Sequence, residues 1–527
     1  MGLAIASQHM AAVHGDLFDN RTFVFCGDGC MMEGVAAEAA SLAGHLKLKN
    51  LIVLYDDNQI SIDGKTDLAF TEDVCKRFES YGFTCFYVDN GDEDLDSMAR
   101  ALESAIGNTS GPSLIKVKTT IAKGAAGVEG TAKAHGAPLG VEKVKATKQA
   151  FGFDPEKTFY VSDAVRDYFL EVRRQKEANA AKWYEKFDQQ KTTELERLIG
   201  NNLPVDWEKC LPMFEKAEAT RKYSEHVLNS LAGVLPELIG GSADLTESNL
   251  TRWKGALDFQ HPDTGLGTYA GRYIRFGVRE HAMFAICNGL AAYGCGLIPF
   301  ASTFLNFITY GWGAVRLSAL SHLQVIYVMT HDSIGLGEDG PTHQPVEVLP
   351  LLRSLPNGLV FRPADGNEVA GAYKLAIENR TGPSIICLTR QKVGMLDASS
   401  PEKVRFGAYT VKECQDPELI LVGTGSEVGL CLQVANVLNK RTRVVSFPSW
   451  ELFDRQPVEY KQSVFPSGVK VVSVEASSTV GWHKYADLCI GLEGFGMSGP
   501  YEQVYDELGL SVDKIKKRID NFCESSQ

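Results

Sequence analysis

The sequence predicts an α/β protein of three domains, each built on a mainly parallel sheet flanked by helices. Three observations carry that prediction. At 527 residues the chain is too long for one hydrophobic core. Hydrophobic residues make up 44% and charged residues 23% of it, values of an ordinary folded protein and not of a disordered or collagen-like one. Short apolar runs alternate with helical stretches, the rhythm of βαβ units.

The first domain is assigned to residues 1–205, with strands at Thr22 to Cys26, Leu51 to Tyr55, Thr84 to Val88 and Ser113 to Lys118. From Asp163 to Leu198 the sequence turns long, charged and glycine-poor, which predicts a helical excursion, followed by a linker around Leu203 to Pro212. A second α/β domain, 216–397, takes strands at Ile274 to Val278, Val325 to Thr330, Gly358 to Arg362 and Ser384 to Leu388. The third, 399–527, takes Leu419 to Val422, Thr442 to Ser446 and Val469 to Val474, and its turn Gly423-Thr424-Gly425-Ser426 opens a helix.

Charge and composition exclude several functions. With 53 Lys plus Arg against 66 Asp plus Glu, the net charge is −13, and no basic stripe is present to displace counterions from a polyanion, so no nucleic acid partner is expected. Residues 282–315 carry no charge over 34 positions, longer than a bilayer span requires. Asn288, Ser302, Thr303, Asn306 and Thr309 interrupt that run, and Gly289, Gly294, Gly296 and Pro299 would break a helix there. Two buried helices, and no membrane contact, are the expectation. Twelve cysteines include no C-x-x-C pair, and Cys26 and Cys30 have no second Cys/His pair at zinc spacing, so reduced thiols without zinc are expected.

The sharpest chemical signal is Cys26-Gly27-Asp28-Gly29 after one strand and Asp56-Asp57-Asn58 after the next. Ligands of open α/β sheets collect at the carboxyl ends of strands, so Asp28 and Asn58 are placed to share one hard cation. The neighbouring glycines let backbone approach a diphosphate. A lone Gly-Asp-Gly is more often only a turn; the thirty residues separating Asp28 from Asn58 change that weighing. With Glu33-Gly34, Ser41 to Leu48 and Asn58-Gln59-Ile60-Ser61-Ile62-Asp63-Gly64, the region closely resembles transketolase, a thiamine diphosphate enzyme.

The resemblance implies a thiamine diphosphate-binding fold with a transketolase C-terminal domain. It also implies Mg²⁺, with Ca²⁺ or Mn²⁺ as substitutes, bound by Asp28, the Asn58 side chain and the Ile60 carbonyl. Gly29, Glu33 and His135, the last in Ala134-His135-Gly136-Ala137-Pro138, fall on the cofactor side, and His135 on the substrate side as well. In Arg279-Glu280-His281 a carboxylate at a helix start is ordinarily a dipole partner. The resemblance makes Glu280 the group that hydrogen-bonds the aminopyrimidine ring and biases it toward the tautomer that removes the thiazolium proton. Phe304, Phe307 and Tyr310 share one side of a helix or turn and would ordinarily be core. By resemblance they surround the aminopyrimidine, with Phe307 stacking on it.

A glycine-rich loop from Thr330 to Pro345 holds two histidines and several carboxylates, which rarely serve packing. By resemblance His331, Asp339 and His343 face the sugar, with His343 and His135 among the catalytic groups beside Glu280. Arg221, Ser248 and Arg390 lie in matching segments and suit a phosphate, whose oxygens the guanidinium fork pairs.

The implied reaction is transfer of a two-carbon ketol unit from a ketose phosphate, such as xylulose 5-phosphate, to an aldose phosphate, such as ribose 5-phosphate or erythrose 4-phosphate, as in the pentose phosphate pathway. A homodimer with shared active sites is implied too. Dihydroxyacetone synthase and a truncated, non-catalytic relative are the alternatives. Met1 opens directly into apolar Gly2-Leu3-Ala4-Ile5-Ala6, so the start reads as cut. The family carries further cofactor-contacting histidines ahead of this helix, and the chain alone is expected to bind thiamine diphosphate poorly. Cytosolic residence is expected, any transit peptide falling ahead of Met1, and the tail Cys523-Glu524-Ser525-Ser526-Gln527 is no peroxisomal signal.

Overall fold

A computed structural model describes residues 1–524; residues 525–527, the last three of the tail just named, lie outside the described residues. The chain forms two compact units, Met1–Glu196 with Gln260–Ala270, and Arg197–Phe259 with Gly271–Gln527.

The first unit holds β1 (Thr22–Gly27), β2 (Leu51–Asp57), a small hairpin of β3 (Ile60–Ser61) and β4 (Gly64–Lys65), then β5 (Thr84–Val88) and β6 (Ser113–Lys118). The sheet runs β1-β2-β6-β5 and is parallel throughout. Residues rich in β-branched and aromatic side chains form these strands, and Ile52, Leu54, Ile115 and Val117 pack with Ala101 and Ala105 in its core. The pairing of Gly27 with Asp56 brings the two strand ends level, so Asp28 and Asn58 leave the sheet at the same edge. β1 is an outer strand, and Phe25 on it is 81% exposed. Helix Gly34–His45 meets helix Val74–Tyr81 at Gly44, where a Cβ would lie 1.7 Å from the Tyr81 carbonyl oxygen; only glycine permits that approach. The charged stretch forms helix Asp163–Gln190, capped by Ser162, and a short helix Thr193–Ile199, as the composition predicts.

The second unit holds two sheets. Six parallel strands, β7 (Leu238–Ser242), β8 (Tyr273–Arg275), β9 (Ile298–Phe304), β10 (Ile326–Thr330), β11 (Leu359–Phe361) and β12 (Ser384–Leu388), run in the order β11-β12-β10-β9-β7-β8. Five more, β13 (Tyr409–Lys412), β14 (Leu419–Gly423), β15 (Thr442–Ser446), β16 (Lys470–Ser478) and β17 (Leu488–Leu492), run β13-β15-β14-β16-β17, with only β13 antiparallel. Arg362 is buried between the sheets. Its Nε donates to Asp332 Oδ2 at 2.9 Å, its Nη1 to Thr424 Oγ1 at 2.9 Å and also to Glu427. Beside it, Arg353 makes a two-pronged pair with Glu475 at 2.7 and 2.8 Å. Burial pushes the Glu475 carboxyl up, but Arg353 and Arg362 outweigh that and hold it at about 2.

The uncharged run is not two helices. It is helix Glu280–Tyr293, the fully buried strand β9, a 3₁₀ turn Leu305–Gly311 and helix Trp312–Leu320. Gly294, Cys295 and Gly296 all adopt positive φ and end the first helix, and the apolar residues after them pair with β7 and β10. Residues 274–278 are strand only to Arg275. β7, β13 and β17 were not anticipated. β7 carries Gly240 and Gly241, which give it no side-chain strand pattern, and added Cβ atoms there would lie 1.9 Å from the Phe300 carbonyl oxygen and 1.8 Å from that of Ile274.

Candidate functional site

In the first unit the short helix Asp28–Met32 begins directly at the end of β1. Asp28 is 3% exposed. Its Oδ1 accepts from the Tyr55 hydroxyl at 2.7 Å and its Oδ2 from the Gln59 backbone N–H at 3.0 Å. Gln59 takes φ 61, a left-handed turn that carries the chain past Asp28. Asn58 Oδ1 accepts from the Ile60 N–H at 3.1 Å and its Nδ2 donates to Asp56 at 3.0 Å. Burial raises the Asp28 pKa, and the hydrogen bond from Tyr55 opposes that rise.

Oxygen donors from Asp28, Asn58 and the Ile60 carbonyl suit Mg²⁺ or Ca²⁺. No group of three His, Cys, Asp or Glu that could hold a metal occurs among the described residues; Mg²⁺ is typically bound by one or two carboxylates with waters and phosphate oxygens completing its shell. Open space lies where a Cβ would stand on Gly27 and Gly29, which leaves the backbone accessible. These observations fit a metal-diphosphate group. Glu33 follows the short helix and is exposed, and His135 lies exposed on the loop after β6.

In the second unit β9 ends in Phe304, and Phe307 and Tyr310 follow in the 3₁₀ turn, so the three aromatics do not share one helix. Phe304 has two stacked neighbours. The His331 ring stacks on it at 3.7 Å and the Phe307 ring at 5.6 Å between centroids. The His343 ring lies 5.3 Å from Phe307 and 6.2 Å from Phe304, and Tyr310 is 5.8 Å from Phe307 and 70% exposed. Glu280 is the first residue of its helix; the next residue, His281, closes on Gly311 at the end of the aromatic turn.

His331 is buried at φ 57, a conformation strained for a non-glycine residue. A relay holds it there: Thr330 Oγ1 lies 2.8 Å from His331 Nδ1 and donates to Asn249 Oδ1 at 2.6 Å, while Asn249 Nδ2 donates to Ser242 Oγ at 2.9 Å. Burial, and then the positive charges of Arg221, Arg390 and His343, push the His331 pKa down to about 3. Arg221 donates to the Ser248 carbonyl, and burial and Arg390 lower its own pKa. Its Nε is buried without a protein partner. The two guanidiniums repel each other, with Glu225 as a partial counterweight at Arg221, and such a pair suits an anion. Asp339 lies exposed on the same loop, which Gln344 fastens through the carbonyls of Ile334, Gly337 and Met497. Tyr55, Thr330 and Asn249 were missed by sequence reasoning, because no local pattern marks a residue whose only task is to hold another.

Known proteins place both halves in one class. Family models match residues 1–204 as the transketolase thiamine diphosphate binding domain, 216–395 as the transketolase pyrimidine binding domain and 407–511 as the transketolase-like C-terminal domain. The chain is therefore a thiamine diphosphate-dependent transferase. A probable transketolase of Schizosaccharomyces pombe and transketolase 1 of Saccharomyces cerevisiae are each 49% identical over 98% of this chain and 78% of their own length. The solved transketolase of Leishmania mexicana matches 98% of the chain and 78% of its own at TM-score 0.95 and 47% identity. That of Pichia stipitis, in complex with sedoheptulose-7-phosphate, matches 98% and 79% at TM-score 0.96 and 47% identity. The chain belongs to the transketolase family, whose activity is transfer of a two-carbon ketol unit between sugar phosphates. No helix among the described residues is long and apolar enough to cross a membrane.

Proposed function

We propose that this chain performs ketol transfer through a site with two halves, one from each unit, joined across a homodimer, and that its domains divide at 1–205, 216–397 and 399–527. Bound thiamine diphosphate supplies the electron sink that lets a carbon-carbon bond of a ketose phosphate break and re-form on an aldose phosphate. Asp28, Asn58 and the Ile60 carbonyl would hold the divalent metal, and Gly29, Glu33 and His135 would lie on the cofactor side. Glu280 hydrogen-bonds the pyrimidine ring and keeps a proton shared there. Phe307, stacked on Phe304 and less buried than it, takes the pyrimidine ring; Tyr310 closes the edge.

His331, kept neutral by its surroundings, accepts or donates one hydrogen bond to a substrate hydroxyl without adding charge. His343 and His135 move protons at the hydroxyl and carbonyl oxygens, and Asp339 binds a sugar hydroxyl. Arg221 and Arg390, with Ser248, hold the phosphate, and the buried Arg221 Nε left without a protein partner, beside the Ser248 carbonyl that the same guanidinium grips, is the observation that carries this reading. Cytosolic residence belongs to the same proposal; the Zea mays relative, 47% identical, is a chloroplastic transketolase. The test is acceptor choice. With xylulose 5-phosphate as donor, ribose 5-phosphate should be consumed and formaldehyde left nearly untouched. Preference for formaldehyde would instead indicate the dihydroxyacetone synthase reaction.

A further inference from the structure

Asp28 is held by more than the chain around it. Tyr55 and Asp57 project from the same face of β2, two residues apart, and Lys116 stands opposite Tyr55 on β6. Tyr55 is 2% exposed, and its hydroxyl lies 2.7 Å from Asp28 Oδ1 and 3.5 Å from Asp57 Oδ1. Asp57 is buried and pairs with Lys116 at 3.1 Å, while the Lys116 ammonium also sits 6.0 Å over the Tyr55 ring. A single proton on a phenol thus stands between two buried carboxylates, and a lysine balances the outer one.

We propose that Tyr55 is a positioning residue for the metal site, with Asp57 and Lys116 as its support. By donating to Oδ1 it fixes the Asp28 carboxylate plane. The outer pair Asp57–Lys116 keeps a second negative charge neutralised, so that the phenol is spent on Asp28. Such outer partners orient a metal's ligands and typically change metal affinity 10- to 100-fold when removed. This inference rests on Asp28 being a metal ligand.

The test is calorimetric titration of thiamine diphosphate at several Mg²⁺ concentrations with wild type, Tyr55→Phe and Lys116→Gln. Tyr55→Phe keeps the ring and removes only the hydroxyl; Lys116 is partly exposed, so its change threatens the fold least. Tyr55→Phe should weaken cofactor binding about tenfold at low Mg²⁺, and high Mg²⁺ should restore it, with the unfolding midpoint of the ligand-free protein near that of wild type. Lys116→Gln should act in the same direction and less. Wild-type affinity at every Mg²⁺ concentration in both variants would overturn the positioning role alone. A wild-type chain whose cofactor binding ignores Mg²⁺ would overturn the metal-site reading and this role with it.

Discussion

His331 shows how a residue can be prepared for chemistry at a cost to the fold. It is buried against Phe304 in a strained backbone conformation, with Arg221, Arg390 and His343 as its charged neighbours. Its pKa is about 3 in the folded chain and about 6.5 when unfolded. The unfolded state therefore binds the extra proton between those values. The stability from keeping His331 neutral is complete above about pH 6.5 and lost as pH falls toward 3, at up to about 1.4 kcal/mol per pH unit. Urea unfolding at pH 7 and pH 4.5 should show a smaller loss on acidification in His331→Gln than in wild type; equal losses would remove His331 from the cause. The sequence exposed this histidine as a loop residue of chemical interest but not its burial, which depends on an aromatic ring 27 positions earlier. Asp28 and Asn58 were legible because each ends a strand, and adjacent parallel strands bring their ends together.

At the scale of elements, the second unit's two sheets are fastened by charge as well as by apolar packing. Arg362, at the end of β11, satisfies Asp332 after β10 and both Thr424 and Glu427 after β14. Replacing it with methionine would strand two buried carboxylates. Arg362→Met should destabilise the protein by about 3–5 kcal/mol, read as a lower urea midpoint. An unchanged midpoint would mean that the carboxylates take up protons without penalty. Element prediction failed where tertiary approach overrides local pattern. Gly240 and Gly241 carry no side-chain strand pattern, and their reason lies in neighbouring strands that leave no room for a Cβ; residues 298–304 look like part of a buried helix until Gly294 and Gly296 break it. The long charged helix at 163–190 was legible because its solvated faces need no tertiary partner to be recognised.

For the whole molecule, the proposed function assigns a metal and diphosphate set to one compact unit and a pyrimidine, sugar and phosphate set to the other. In that proposal neither set suffices for ketol transfer, and a homodimer joins them. An Asp28→Asn chain lacks the first half and a Glu280→Gln chain lacks the second, so each homodimer should lose at least about 100-fold in rate. Co-expressing the two tests the account most directly. If subunits pair at random, half of the dimers are mixed and each keeps one intact site, so ketol transfer should return to about a quarter of the wild-type rate. A co-expressed mixture as inactive as its parents, beside an active wild type, would contradict a site shared between subunits.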